Sequence, residues 1–214
     1  MVQESNRWME TSDVIPMFPS LVWKVQIEAS LRDALAQSIL AALADMRRGL
    51  PSLEAGRGWQ SGQALHERED FRDLVSCVRR GVTSILRFLR IGHDAFEITA
   101  CWATVLAKGA AHKIHSHPNN FLSGVYYVRT QPGSDTINFH DPRRQTAVIR
   151  PPVVELTADN TDQVVVKVRN GALLMFPSFL EHSVDANLSE EERISVSFNV
   201  MFSSFTQQLS KPLW

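Results

Sequence analysis

Cysteine is scarce: Cys77 and Cys101 are the only two in 214 residues. That excludes a disulfide-built secreted scaffold, and both are expected to be reduced, structural thiols. Long hydrophobic runs are missing too. A bilayer span needs roughly 20 consecutive apolar residues, and no stretch approaches that length, while the leading MVQESNRWMETSD lacks the continuous apolar segment of a signal peptide. A soluble, cytoplasmic protein with no membrane partner is therefore expected. Nor does one sign of charge dominate. With 22 basic and 23 acidic side chains and a formal net charge of −1, nothing in the overall balance argues for a nucleic-acid partner. Repeats at solenoid spacing are also absent.

What is present is 44% hydrophobic residues, enough for a sizeable core in a chain of single-domain size. The expectation is one domain over residues 1–214: an N-terminal strand and supporting helices over 1–92, a β core over 93–205 and a tail over 206–214. VIPMFPSLVWKVQI, residues 14–27, reads as a first or edge strand with its prolines near the start, and Trp23 reads as packing. From Ser30 to Met46 the period becomes helical. Leu31, Ala34, Leu35, Ile39, Ala42 and Met46 form one stripe, and Ser30 with Asp33 is the candidate cap. Residues 49–66 are glycine-rich and aperiodic, as in a loop or mobile cover, with Trp59 as a substrate contact or a surface anchor. A second helix is expected over 67–89, with Glu67, Glu69 and Asp70 favouring its N-terminal end. Its later part carries Arg79, Arg80, Arg87 and Arg90, which suit a solvated, dipole-matched face better than a nucleic-acid site.

After Gly92 the chain reads as strands: Phe96–Leu106, Leu122–Thr130, Thr136–His140, Ala147–Arg150, Val164–Val168, Ala172–Phe176 and Arg193–Phe202, separated by turn-forming PNN, QPGSD, DPRR, TADNTD, RNG and PS. No helical pattern intervenes, so a parallel βαβ fold is excluded. A mainly β, cupin-like jelly roll or double-stranded β-helix with flanking N-terminal helices fits.

Polar chemistry gathers in HKIHSHPNNFLSGVYYV, residues 112–128. In an extended segment His115 and His117 face the same way, so two imidazoles can reach one metal ion. His112 has the opposite parity and is the weaker ligand candidate. His182 in FPSFLEHSV is the next available donor. Arg193 opens RISVSFNV, in which Ser195 and Ser197 share its face while Ile194, Val196, Phe198 and Val200 form the apolar one. Arg193 can grip a carboxylate through two parallel hydrogen bonds, or pair at the surface with Asp185 or Glu192.

Over roughly residues 98–202 the sequence resembles the iron(II) and 2-oxoglutarate-dependent dioxygenases, specifically a small bacterial and phage group related to the prolyl-hydroxylase branch. The carriers are HSHP at 115–118, SGVYYV at 123–128, INFHDPR at 137–143, GALLMFPSFLEHSV ending near His182, and RISVSF from Arg193. The resemblance implies a metal site of His115, His117 and His182, with His117 where the family has aspartate. It implies cosubstrate contacts from Arg193, Tyr127, Ser123 and Ser195, and it places Asn138, Asp141 and Trp102 in the surrounding shell or substrate pocket. Asp141 is expected to hold its loop, with a ligand role only if that turn folds back. The implied cofactors are Fe(II), 2-oxoglutarate and O2. The implied reaction hydroxylates a small-molecule or peptidyl substrate and releases succinate and CO2. A three-His cupin-like dioxygenase that dispenses with 2-oxoglutarate, and a non-catalytic metal-stabilised binding module, are the alternatives. The C-terminal SSFTQQLSKPLW, with Phe205, Leu209 and Trp214, suggests a homodimer contact.

Overall fold

The computed structural model describes residues 11–92, 95–143, 148–149 and 151–206. Among the described residues ten strands are found: β1 (Trp23–Gln26), β2 (Gly58–Gln60), β3 (Phe96–Leu106), β4 (His112–His115), β5 (Leu122–Arg129), β6 (Thr136–His140), β7 (Gln163–Lys167), β8 (Ala172–Pro177), β9 (His182–Val184) and β10 (Arg193–Phe202). They form a six-stranded sheet in the order β1-β8-β5-β10-β3-β2 and a four-stranded sheet in the order β4-β9-β6-β7, with antiparallel pairing throughout the named strands. From β3 onward the chain passes back and forth between the two sheets. That alternation defines the double-stranded β-helix, and the flanking helices α1 (Ala29–Met46) and α2 (Arg72–Phe88) complete the expected architecture.

The large sheet has two apolar environments because its strands alternate. One face packs Ile98, Tyr126, Leu173, Ile194, Val196 and Phe198 with Leu35 and Ile39 of α1 and Leu74, Val82 and Leu86 of α2. The other face meets the small sheet through Val125, Tyr127, Leu174, Phe176, Ile137 and Phe139. Burying side chains of this size is worth about 1.5–3 kcal/mol each, so the helices are held by packing rather than by propensity.

Several local expectations are corrected. The cap of α1 is Glu28, not Ser30 with Asp33: its carboxylate accepts from the Ser30 and Leu31 backbone N–H groups at 2.9 and 3.4 Å and from the Ser30 hydroxyl. Those bonds, the Ser30 hydroxyl first, hold the Glu28 carboxyl below its ordinary range. Asp33 pairs instead with Arg32. Two 3-10 turns, Leu65–Glu67 and Glu69–Phe71, precede α2, so Asp73 is the acid in its first turn. Residues 49–66 are not simply a loop, since β2 adds an edge to β3 and the Ser61 hydroxyl accepts from the Ala103 N–H. Trp59 is half-buried there beneath the Arg47 guanidinium, 5.9 Å from its centroid. In the RNG turn before β8, Gly171 takes the left-handed region at φ 82°, and the Ala172 N–H closes the turn on the Arg169 carbonyl. Val148 is helical where an extended residue is expected; Ala147 and Arg150, the ends of that expected strand, lie outside the described residues. So do Leu209 and Trp214 of the expected dimer contact, whereas Phe205 is described and exposed. Among the described residues no helix is long and apolar enough to cross a membrane.

Gly124 lies where β5 passes between β8 and β10. A Cβ there would come within 2.2 Å of the Phe198 ring and 2.6 Å of the Leu174 carbonyl oxygen, and neither a buried ring nor backbone can yield cheaply. Gly124→Ala should lower unfolding free energy by about 1–3 kcal/mol in urea titrations. Gly62→Ala, with nothing within 4 Å of its Cβ, should change it by no more than about 0.5 kcal/mol.

Candidate metal centre and cosubstrate cavity

His115 ends β4 and His182 opens β9, and the two are register partners, which sets their rings 4.3 Å apart between centroids. His117 lies two residues beyond β4, where ladder pairing has ceased; its backbone N–H donates to the Ser178 carbonyl at 2.9 Å. Its ring centroid is 5.1 Å from that of His115 and 5.2 Å from that of His182. One ligand nitrogen from each of the three lies within 4.8 Å of the others, and among the described residues no carboxylate or thiol joins the group.

Two tautomers follow from the backbone. The His115 Nδ1 lies 2.8 Å from the Lys113 carbonyl oxygen and the His182 Nδ1 3.0 Å from that of Leu180. A carbonyl can only accept, so both Nδ1 atoms carry the proton and both Nε2 atoms keep a lone pair for a cation. Burial also favours neutral rings. It is the main cause holding His117 down to about 4 and His182 down to about 3, with repulsion from neighbouring imidazoles adding to it. These donors suit a first-row transition metal, and three protein ligands leave positions open to a further ligand.

The triad faces an open-mouthed cavity of about 870 Å³ between the sheets. One wall is the polar face of β10, where Arg193, Ser195, Ser197 and Asn199 line the cavity while the intervening apolar residues pack beneath the helices. Arg193 is only 2% exposed. Its Nε donates to the Ser134 carbonyl at 3.0 Å, and its guanidinium lies over the Tyr127 ring, 5.1 Å from the centroid. Burial depresses the guanidinium pKa and lifts the Tyr127 phenol to about 12, the latter opposed by the Arg193 charge. The surface-pair alternative fails, because Glu192 is engaged by Arg47 at 2.9 and 2.7 Å, and no carboxylate among the described residues bridges to Arg193. The Tyr127 hydroxyl is buried without a hydrogen-bond partner, as is that of Thr104 on β3 in register with Ser195.

Trp102 joins the same cavity, its ring centroid 5.8 Å from that of His117. Other sequence candidates sit elsewhere. The Ser123 hydroxyl is spent on Ser178 and Asn199, each at 2.8 Å, away from the cavity lining. Asn138 has the parity opposite to Ile137 and Phe139, which pack between the sheets, so it lies on the outer side of β6. Asp141 is locked to Arg143 at 2.9 Å, and that bond holds its carboxyl below the usual range. It does not reach the triad. His112 lines the cavity outside the triad, its ring 6.2 Å from that of His115, and burial followed by the Arg193 charge lowers it to about 4. Asn199, Gln60 and Gln63 also line the cavity and were not singled out from sequence. Counting two residues on from Ser197 finds Asn199; no periodic signal marks the glutamines.

Compared with known protein families, residues 100–199 match the one described as "Putative 2OG-Fe(II) oxygenase". No curated protein matches the sequence. Among solved structures, a Pseudomonas putida prolyl-4-hydroxylase is similar at 17% identity and TM-score 0.58, covering 86% of this chain and 93% of its own. HygX from Streptomyces hygroscopicus, solved with nickel and 2-oxoglutarate bound, aligns at 13% identity and TM-score 0.60, covering 86% and 83%. A prolyl hydroxylase from Trichoplax adhaerens, solved with a hypoxia inducible factor peptide, aligns at 15% identity and TM-score 0.56, covering 89% and 87%. At these identities the structures establish a shared fold. Residues 100–199, which carry His115, His117 and His182, are thus similar to the 2OG-Fe(II) oxygenase family, and the fold is shared with prolyl-hydroxylase-like structures.

The depressed imidazoles set a pH dependence for the metal-free protein. His112, His117 and His182 fall from an ordinary 6.5 to about 4, 4 and 3, so between these values the unfolded chain binds more protons than the folded one. Their contribution is intact above pH 6.5 and is lost as pH falls toward 4. The unfolding free energy from urea titrations should therefore drop between pH 6.5 and 5, above the range in which most carboxylates titrate, by less than about 1.4 kcal/mol per pH unit for each group, and the midpoint should fall with it. His112→Gln should make the slope shallower. A midpoint constant over that window would contradict this account.

Proposed function

We propose that this protein is an Fe(II)- and 2-oxoglutarate-dependent oxygenase that hydroxylates its substrate and releases succinate and CO2. The observation carrying this reading is the pairing, in one cavity, of a three-imidazole cluster with a buried guanidinium that has no carboxylate bridged to it among the described residues. His115, His117 and His182 would hold the iron, which supplies a site where O2 and the cosubstrate meet and where oxidation of the cosubstrate is coupled to hydroxylation. Arg193 would take the distal carboxylate of 2-oxoglutarate in a charge-assisted pair, supported by the hydroxyls of Tyr127 and Ser195. The buried Tyr127 hydroxyl, which lines the cavity beside Arg193, suits the same anion.

The remaining residues orient and desolvate. Val125, Ile137 and Phe176 give the cavity apolar walls, in which the Arg193 charge is poorly screened and attracts an anion more strongly than it would in water. Trp102 stands beside His117 toward the substrate side. The Lys113 and Leu180 carbonyls hold the His115 and His182 rings in the tautomer that presents Nε2. A small-molecule or peptidyl substrate fits a cavity of this size.

The three-His dioxygenase that dispenses with 2-oxoglutarate is the second reading, favoured by the wholly neutral ligand set. Arg193 separates the two. Arg193→Ala should leave iron content nearly intact and weaken 2-oxoglutarate binding by about 2–5 kcal/mol in anaerobic calorimetry. Unchanged affinity would favour the second reading, as would the absence of any succinate from 2-oxoglutarate in air. His117→Ala should lose iron and coupled turnover. His117→Asp restores the commoner carboxylate on a shorter side chain, so it should keep iron but turn over less efficiently, since small displacements in a rigid ligand set are costly. Full iron occupancy with unchanged succinate formation in His117→Ala would refute the ligand assignment.

A further inference from the structure

A buried polar chain runs behind the metal cluster. Ser123 is 1% exposed, Ser178 is 1% exposed and Asn199 is 7% exposed. The Ser123 hydroxyl lies 2.8 Å from the Asn199 Oδ1 and 2.8 Å from the Ser178 hydroxyl. Ser123 has a single proton to give, and the carboxamide oxygen can only accept. The chain is therefore directional: Ser178 donates to Ser123, and Ser123 donates to Asn199.

Ser178 stands in the turn joining β8 to β9, and this turn holds two of the three imidazoles. Its carbonyl accepts the His117 backbone N–H at 2.9 Å, the contact that fixes His117 after β4 has ended. The Leu180 N–H closes the turn on the Pro177 carbonyl at 3.0 Å, and the Leu180 carbonyl in turn receives the His182 Nδ1–H at 3.0 Å. Ser178 is itself tied to β5 through its N–H to the Phe121 carbonyl at 3.2 Å and through its hydroxyl to Ser123. Asn199 anchors the far end on β10.

We infer that Ser123, Ser178 and Asn199 are positioning residues for the metal cluster, clamping the β8–β9 turn to the large sheet so that His117 and His182 are presented together to one ion. This rests on the metal-binding reading above and assigns Ser123 to the support of the ligands rather than to the cosubstrate. A side-chain aspartate would add its own charge to metal affinity; three neutral imidazoles hold an ion by lone-pair donation without that charge, so their mutual placement matters more and the clamp is consequential. The same chain turns the Asn199 oxygen away from the cavity and leaves its amide N–H groups as the donors available at that wall.

The test is an anaerobic titration of the metal-free, full-length protein with Co(II), read by its visible absorption, with thermal melting of each metal-free variant alongside. Wild type should bind one Co(II). Ser123→Ala should weaken that binding by about 10- to 100-fold and alter the ligand-field bands, the effect expected when a group supporting metal ligands is removed. Ser178→Ala breaks the same link at its other end and should reproduce the change if Ser123→Ala folds poorly. Val82→Ala, which thins the helix-side core far from the cluster, should lower the melting temperature while leaving Co(II) affinity and spectrum as in wild type. Wild-type affinity in both serine variants would overturn the inference and leave the metal site standing. Equal weakening in Val82→Ala would also overturn it, by showing that general loss of stability is the cause. Failure of wild type to bind Co(II) would remove the metal-binding reading and the inference with it.

Discussion

A guanidinium buried without a carboxylate beside it is the constraint on which the site depends. Desolvating a cation costs several kcal/mol even after relaxation, and a native structure sustains that only where fixed dipoles or a bound anion offset it. At Arg193 the Ser134 carbonyl and the face of the Tyr127 ring supply part of the compensation. The rest is left to whatever occupies the cavity. The surrounding sheets must then be rigid enough to keep the group in place, and the two apolar layers on either side of the large sheet provide that rigidity.

The imidazole cluster follows a related logic with the opposite sign. Burial keeps the His117 and His182 rings neutral, so each is ready to donate a lone pair without first losing a proton. The backbone carbonyls that orient His115 and His182 do so without adding charge. The cavity thus combines the buried Arg193 charge with imidazole donors, and among the described residues that line it none is acidic. An anionic bidentate ligand is the species that would satisfy both at once.

Much of this was legible in the chain. Period-two alternation in RISVSFNV separated the face that meets the helices from the face that meets the cavity, and β10 has the bounds expected from it. The same alternation paired His115 with His117. What stayed hidden depended on contacts between segments far apart in sequence. Ser123 sits in the right strand, but its hydroxyl is consumed by Ser178 and Asn199, 55 and 76 residues away. Asn138 belongs to the motif INFHDPR, yet its parity is opposite to that of Ile137 and Phe139, which pack between the sheets. The glycine-rich stretch before α2 gave no strand period, yet β2 forms there because the edge of β3 was open to pairing. The cap of α1 was missed because glutamate is an uncommon cap, and only its reach back to Ser30 and Leu31 reveals the role.

The placement of both faces on one ten-residue strand has an evolutionary corollary. An insertion or deletion within β10 would exchange its faces beyond the lesion, turning serines toward the helices and valines toward the cavity. Folding and chemistry would fail together. Purifying selection for stability alone would therefore guard the length of this strand, even in a descendant that had abandoned its substrate. Change in specificity is left to segments whose length is free, such as the exit from β2 and the PNN turn after His117, where Gln60, Gln63, Asn119 and Asn120 reach the cavity. Lineages of this fold should diverge by loop length around an inner strand of constant length.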